Sequence, residues 1–216
     1  MGMNVLAIDT ASPEASVALL SGGRIFEEAL PFERRASEEL LPALRRVLDA
    51  ARAALADCDR IAVCAGPGSF TGVRVGLSTA WGLARGTGIP LETVSTLEAV
   101  AETARGESPR VLAVLDAGRG EVVCREFDLT GGRAVPAGEA VRVSPGRAIE
   151  IAGGAAVIAL PADLLSSPPG DGRRPSRSPA AALALAVASA PGAPASNLEA
   201  IYSRPSAAEE KRGVRP

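Results

Sequence analysis

The sequence GPGSFTGVRVG, residues 66–76, follows the short apolar run IAVCA at residues 61–65 and opens a segment rich in Ala, Gly and Leu that reaches residue 88. This order predicts a strand, a tight loop and a helix, because Gly reaches positive φ angles and Pro fixes its own φ. Ser69 or Thr71 can accept a hydrogen bond from the free N–H groups of the first helical turn. A helix N-terminus behind glycines can also hold a phosphate or a carboxylate, although most capped helices bind nothing. The loop alone therefore favours a capped junction over an anion site.

The helix after this loop has a face with almost no side chains. Gly72, Gly76, Ala80, Ala84 and Gly88 recur every four residues and so lie on one side of the helix. A Gly inside a helix costs up to about 1 kcal/mol relative to Ala, so the pattern predicts close approach of another backbone. The pattern leaves open whether that backbone belongs to the chain's own sheet or to another protein.

Composition narrows the class of protein. The chain has 216 residues, 47% of them hydrophobic and 22% charged, and a net charge of −2, which fits one folded domain or two small ones. A net charge this small gives no general attraction to nucleic acid or anionic membranes. The sequence contains no His, which excludes His-based triads, His general bases and nearly all catalytic zinc sites.

Three cysteines without a Cys-x-x-Cys pair argue against a disulfide framework and fit a reducing compartment. Residues 1–8 lack the basic start of a signal peptide, and charged or turn residues interrupt every apolar run before it reaches membrane-spanning length. We therefore expect a soluble, cytoplasmic protein.

The first half of the chain reads as a ribonuclease-H-like unit. Strands are predicted at residues 3–8, 15–20 and 25–30, and Asp9 ends the first of them, where several ATP-binding folds hold a phosphate-bound metal. Asp9 is weak evidence by itself, because Asp commonly starts turns. A helix from Ser37 to Leu55 follows the i, i+3, i+4, i+7 pattern, and its leucine stripe covers the sheet with room for one flank to face a second protein. The strand, glycine loop and helix described above come next, followed by a strand at 89–94 and a helix at 97–105.

The second half of the chain begins with the same pattern of strands, but its later secondary structure is less clearly indicated by the sequence. Strands are predicted at residues 111–116 and 121–129, with Asp116 at the end of the first, and then a strand at 155–160 and a helix at 179–190. We therefore predict an α/β protein of two lobes, residues 1–105 and residues 106–216, the second ending in a polar tail. The loop residues Arg173, Arg174 and Arg177 could contact phosphate, but the simpler interpretation is that their side chains only keep the loop in solvent.

Six motifs together closely resemble the TsaB (YeaZ) family, most strongly over the first 105 residues. They are NVLAIDTA at 4–11, SEELLP at 37–42, the glycine segment at 66–76, VSTL at 94–97, LDA at 115–117 with Glu121 and Val122, and IYSRP at 201–205. The resemblance implies the actin-like ATPase superfamily, a glycoprotease-like (M22-like) domain and two ribonuclease-H-like lobes. It also implies that residues 1–105 carry the partner-binding helices and that residues 106–216 form a degenerate, shortened lobe.

The same resemblance implies a function in tRNA modification. It implies a non-catalytic subunit that binds and activates TsaD in the transfer of threonylcarbamoyl to N6 of the adenosine adjacent to the anticodon. The resemblance further implies that the ATPase TsaE docks on the pair, that tRNA is reached only through the complex, and that the chain can form a homodimer in isolation. We expect no catalytic residue, no metal, no membrane contact and no tightly bound cofactor, with ATP or ADP bound only at the complex interface.

Two sets of residues carry these expectations. The predicted partner contacts lie on the two helices that match the family's docking helices, and they are Leu40, Leu44, Val47, Gly72, Gly76 and Ala80. The predicted remnant of a phosphate site is Asp9, Thr10, Gly66, Gly68, Ser69 and Thr71.

The chain departs from the family pattern at one position, and two other functions are weighed against the one that the resemblance implies. Many relatives carry a His just before the Ser-Glu of the first helix, where this chain has Ala36. A stand-alone ATPase or small-molecule kinase, using Asp9 and Asp116, is the alternative from a different class. The sequence argues against a metallopeptidase, suggested by the family's older label, since the ligands that zinc or iron peptidases need are missing.

Overall fold

Two β-sheets form the framework of the computed structural model, which describes residues 2–31, 36–165 and 177–201. The first sheet contains β1 (Val5–Asp9), β2 (Ser16–Ser21), β3 (Arg24–Ala29), β4 (Arg60–Cys64) and β5 (Leu91–Val94) in the order β3-β2-β1-β4-β5. The first three strands are antiparallel, whereas β4 runs parallel to β1 and β5 parallel to β4. The central strands are buried on both faces, which explains why they read as continuous apolar runs.

Three helices follow these strands: α1 (Ala36–Ala51), α2 (Phe70–Thr87) and α3 (Thr96–Glu102). The first ends four residues before the predicted Leu55, because Arg52 adopts a left-handed φ of 54° and a 3-10 turn, Leu55–Asp57, follows. Gly88 has a φ of 77° and caps α2. Gly88 therefore ends the helix. It does not belong to the face of small side chains with which its spacing in the sequence groups it.

The second sheet contains β6 (Arg110–Gly118), β7 (Glu121–Asp128), β8 (Val135–Pro136), β9 (Val141–Val143) and β10 (Ala156–Leu160). Its order is β10-β6-β7-β8, and β9 also pairs with β7. The helix α4 (Pro145–Ala152) precedes β10, and its cap is the Ser144 hydroxyl, which accepts a hydrogen bond from the Arg147 N–H. The short strands β8 and β9 and this helix were not predicted.

The last described helix, α5 (Pro179–Ser189), matches the predicted span within one residue. It packs against β1 and β2 of the first sheet and against α3, and its alanines allow this close approach. The predicted division placed these residues with the second lobe, but in space they return to the first.

Buried ion pairs tie the two sheets together. The guanidinium of Arg133, between β7 and β8, donates to Glu92 on β5 and to Glu98 on α3. The carboxylate of Glu102 on α3 accepts a hydrogen bond from the Ala134 N–H over 2.6 Å. The predicted α/β class with two sheets is confirmed, and the short strands β8 and β9 belong to the reduced second sheet.

In the parts of the chain that the structure describes, we find no helix with both the length and the apolar character needed to cross a membrane.

Candidate functional site: a closed glycine loop and an exposed helix face

Gly66 starts the loop between β4 and α2 and is held on two sides. Its φ is 102°, and a Cβ there would lie 2.0 Å from the carbonyl oxygen of Ile201. Its own carbonyl oxygen accepts a hydrogen bond from the Thr96 N–H over 2.7 Å. Both the backbone angle and the close approach therefore require Gly at this position.

The next residues of the loop lie against the turn that follows β1. A Cβ on Gly68 would lie 2.1 Å from the carbonyl oxygen of Ala11, and the same oxygen accepts the Ser69 N–H over 2.9 Å. The Ser69 hydroxyl accepts the Gly72 N–H over 3.2 Å, so Ser69 is confirmed as the N-cap of α2. Thr71 is exposed in the first turn. The loop is thus closed by contacts within the chain.

Asp9 is fully buried, and its carboxylate is surrounded by donors from its own chain. It accepts the Ala11 N–H at 2.9 Å, the Ser12 N–H at 3.1 Å and the Ser12 hydroxyl at 2.5 Å. The thiol of Cys64 also forms a hydrogen bond with the Asp9 carboxylate. Burial raises the pKa of the Asp9 carboxyl above its ordinary value, and the hydrogen bonds from Ser12, Ala11 and Cys64 oppose that rise. Burial likewise raises the pKa of the Cys64 thiol well above its usual range.

Thr10 connects the end of β1 to the start of α2. It is 3% exposed, and its hydroxyl donates to the Gly72 carbonyl oxygen over 2.6 Å. The predicted phosphate-site residues are therefore brought together, and all of them except Thr71 contact other parts of the chain. Asp116, the second acidic residue of the ATPase alternative, is exposed and accepts the Gly118 N–H over 2.7 Å. Among the described residues, no group of three or more His, Cys, Asp and Glu side chains could hold a metal ion.

The six residues predicted to contact a partner do not lie on a free surface. Leu40, Leu44 and Val47 are 1–4% exposed in the core beneath α1, and Ala80 is 0% exposed. Gly72 and Gly76 face Thr10, at distances that leave no room for a Cβ. The prediction is corrected here: these six pack on the chain's own sheet, because the leucine stripe of α1 and the small face of α2 cover the first sheet. A bulky residue at Gly76 would therefore disturb the fold itself.

A different face of the same helices is exposed. Leu41 on α1 is 56% exposed, and Phe70 at the start of α2 is 37% exposed with the Arg74 guanidinium 3.7 Å from the centre of its ring. Further along α2, Ser78, Gly82 and Gly86 are exposed and again recur every four residues. A Cβ on Gly82 or Gly86 would meet nothing within 4 Å among the described residues. We group these exposed residues of the two helices, Leu41 on α1 with Phe70, Ser78, Gly82 and Gly86 on α2, under the name exposed helix face. The sequence does show this second stripe of small residues at a spacing of four, but the prediction placed the partner on the first stripe.

Some predicted residues cannot be placed. Arg173 and Arg174 lie outside the described residues, as do positions 202–205 of the IYSRP motif, while Arg177 is exposed.

Comparison with known proteins identifies the family. The chain is 40% identical over 127 residues to the tRNA threonylcarbamoyladenosine biosynthesis protein TsaB of Escherichia coli, covering 58% of this chain and 55% of that protein. It is 36% identical over 121 residues to TsaB of Bacillus subtilis, covering 56% and 53%. The solved structure of YeaZ from Pseudomonas aeruginosa superimposes with a TM-score of 0.62 at 37% identity, covering 66% of this chain and 68% of that one. The chain belongs to the TsaB (YeaZ) family.

A wider relationship agrees with this assignment. Residues 27–163 match the family described as TsaD: tRNA N6-adenosine threonylcarbamoyltransferase. This TsaB-family chain spans about half the length of the curated TsaB relatives that it matches, 55% and 53% for the two named above. The matched region includes α1, α2 and the glycine loop, whereas Thr10 and Ile201, which contact that loop and α2, lie outside it.

Proposed function

We propose that this chain is a non-catalytic subunit that forms a heterodimer with TsaD and activates it. The reaction is the transfer of threonylcarbamoyl to N6 of the adenosine adjacent to the anticodon of tRNA. Membership of the TsaB family supports a role in this pathway, since the curated relatives are named for tRNA threonylcarbamoyladenosine biosynthesis.

The observation that carries the docking part of the proposal is the pair of glycines Gly82 and Gly86. A Gly in a helix interior costs up to about 1 kcal/mol relative to Ala, and this applies to Gly82, whereas Gly86 lies in the last turn of α2. Gly72 and Gly76 are required by their contact with Thr10, but none of the described residues uses the space beside Gly82 and Gly86. A partner helix that approaches this flat surface closely would offset that cost. Leu41 and Phe70 supply apolar area of the kind that interfaces bury.

Two observations support a subunit that leaves the chemistry to its partner. The sequence has no His. The carboxylate of Asp9 is buried and bonded to its own chain, so it is not free to hold a metal-bound phosphate. We accordingly propose that the isolated chain holds no ATP or ADP tightly, and that nucleotide binds only at the junction with TsaD. TsaE would dock on the pair, tRNA would be reached through the complex, and the same face would support a homodimer when TsaD is absent.

A matched pair of variants tests the docking proposal. Leu41→Asp places a charge on the exposed helix face, and Val135→Asp places one at an equally exposed apolar position on β8; the two side chains are 56% and 57% exposed. Leu41→Asp should weaken TsaD binding by about 30-fold or more, as at an interface hot spot, and reduce threonylcarbamoyladenosine formation in tRNA. Val135→Asp should behave as the parent chain does. Equal binding by the two variants would reject this face.

A further inference from the structure

The segment after α5 runs along the free edge of the first sheet. The Gly192 N–H donates to a carboxylate oxygen of Glu92 over 2.9 Å, and the guanidinium of Arg60 donates to the Gly192 carbonyl oxygen over 2.9 Å. Three residues later, the Ala195 N–H donates to the carbonyl oxygen of Leu91 over 2.7 Å. Since β5 is the edge strand, this segment satisfies the Leu91 carbonyl group, which faces away from β4. We call residues 192–201 the strap.

The far end of the strap reaches the glycine loop. The Ile201 N–H donates to the carbonyl oxygen of Ala65 over 2.7 Å. The Ile201 carbonyl oxygen lies so close to Gly66 that a Cβ there would be 2.0 Å from it. The strap therefore fixes both the last residue before the loop and the first residue in it.

The other side of the loop is held by α3 and by the turn after β1. The Gly66 carbonyl oxygen accepts the Thr96 N–H over 2.7 Å, and the Ser69 N–H donates to Ala11 over 2.9 Å. Gly66 thus lies between Ile201 and Thr96. Without Ile201, Gly66 would lose the backbone contact on that side, and Gly is the residue with the most backbone freedom to regain.

We propose that the strap locks the glycine loop, so that loosening either one loosens the other. Local opening of a protein occurs in contiguous cooperative units, and the strap, Ala65, Gly66 and Thr96 are joined by direct backbone hydrogen bonds. The strap is then a conformational device that sets the shape of the loop and, through the Ser69 cap, the start of α2. This inference does not depend on which partner binds α2.

Amide hydrogen exchange on the full chain tests the lock. Ile201→Pro removes the N–H that bonds to Ala65, whereas Leu198→Ala changes an exposed strap side chain and keeps the backbone donors. Ile201→Pro should raise exchange at the Ser69 and Thr96 amides by about tenfold, the scale of one backbone hydrogen bond. Leu198→Ala should leave them unchanged, and the Ala113 amide in β6 should be unaffected in both. Unchanged Ser69 and Thr96 amides in Ile201→Pro would overturn the proposal.

A second measurement needs no substitution and decides the matter if Ile201→Pro unfolds the chain. In the parent chain, exchange at increasing denaturant gives an opening free energy for each amide. The Ile201, Thr96 and Ser69 amides should open together, with one free energy and one denaturant dependence, below that of Ala113. Opening of Ile201 at a lower free energy than the other two would show that the strap detaches while the loop stays ordered, and would overturn the lock.

Discussion

The hydroxyl of Thr10 donates a hydrogen bond to the carbonyl oxygen of Gly72 over 2.6 Å, and the Thr10 carbonyl oxygen lies 1.8 Å from where a Cβ on Gly72 would be. Gly72→Ala should therefore destabilise the chain by about 2–4 kcal/mol, because backbone atoms of β1 or α2 must move. Chemical denaturation measures this loss.

Gly82→Ala in the same helix is the matched control. It meets open space, so it should stabilise the chain by about 0.5–1 kcal/mol through helix propensity. If the two substitutions had the same effect, the contact between Thr10 and Gly72 would not explain the glycine.

Asp9→Asn should change how stability depends on pH. The folded-state pKa of Asp9 is raised above its ordinary 3.8, chiefly by burial, so the folded chain holds this proton more tightly than the unfolded chain does. Its contribution to stability is complete below pH 3.8 and declines as pH rises toward the raised pKa. Asn cannot titrate, and other groups are common to both proteins. The free energy of unfolding of Asp9→Asn minus that of the parent should therefore increase with pH across this interval, and a pH-independent difference would contradict the burial argument.

Arg133→Ala should loosen the connection between the two sheets. Its guanidinium bonds to Glu92 and Glu98, whose side chains are 3% and 16% exposed. Its removal leaves the buried Glu92 carboxylate with the Arg60 guanidinium and the Gly192 N–H as partners. We expect a loss of about 2–4 kcal/mol in the free energy of unfolding.

Arg147→Ala is the control for charge removal. Its ion pair with Glu150 is exposed, at 62% and 66%, so the loss should be under about 0.5 kcal/mol. Similar losses for Arg133→Ala and Arg147→Ala would mean that the ion pairs between the sheets do not hold the lobes together.

Much of the fold could be predicted from local signals. The buried strands of the first sheet appear as apolar runs, and the helices α2 and α5 each begin directly after a capping Ser. The two-residue strand β8 and the three-residue strand β9 carry too little sequence to form a pattern. The packing of α5 against the first sheet depends on which faces of the two sheets are still uncovered by other helices. The apolar sequence of α5 does not specify which sheet it covers.

The candidate site shows where sequence reasoning stops. Gly72 and Gly76 form one stripe of small residues on α2, and Gly82 and Gly86 belong to another. The sequence shows both stripes, but the contact with Thr10, more than 60 positions away, decides which one faces the sheet. Arg133 and Glu92 are likewise 41 positions apart, so no local pattern predicts their ion pair.

The most direct test of the docking proposal is the affinity of Gly82→Leu for TsaD, measured together with the stability of the free chain. Leu at this exposed position should keep or raise the stability of the free chain, by up to about 1 kcal/mol, because it meets open space and favours the helix. The same side chain should hold a partner helix away from α2 and weaken binding by about tenfold or more. Unchanged affinity for TsaD, in a chain that is folded and at least as stable, would contradict the assignment of this face as the docking surface.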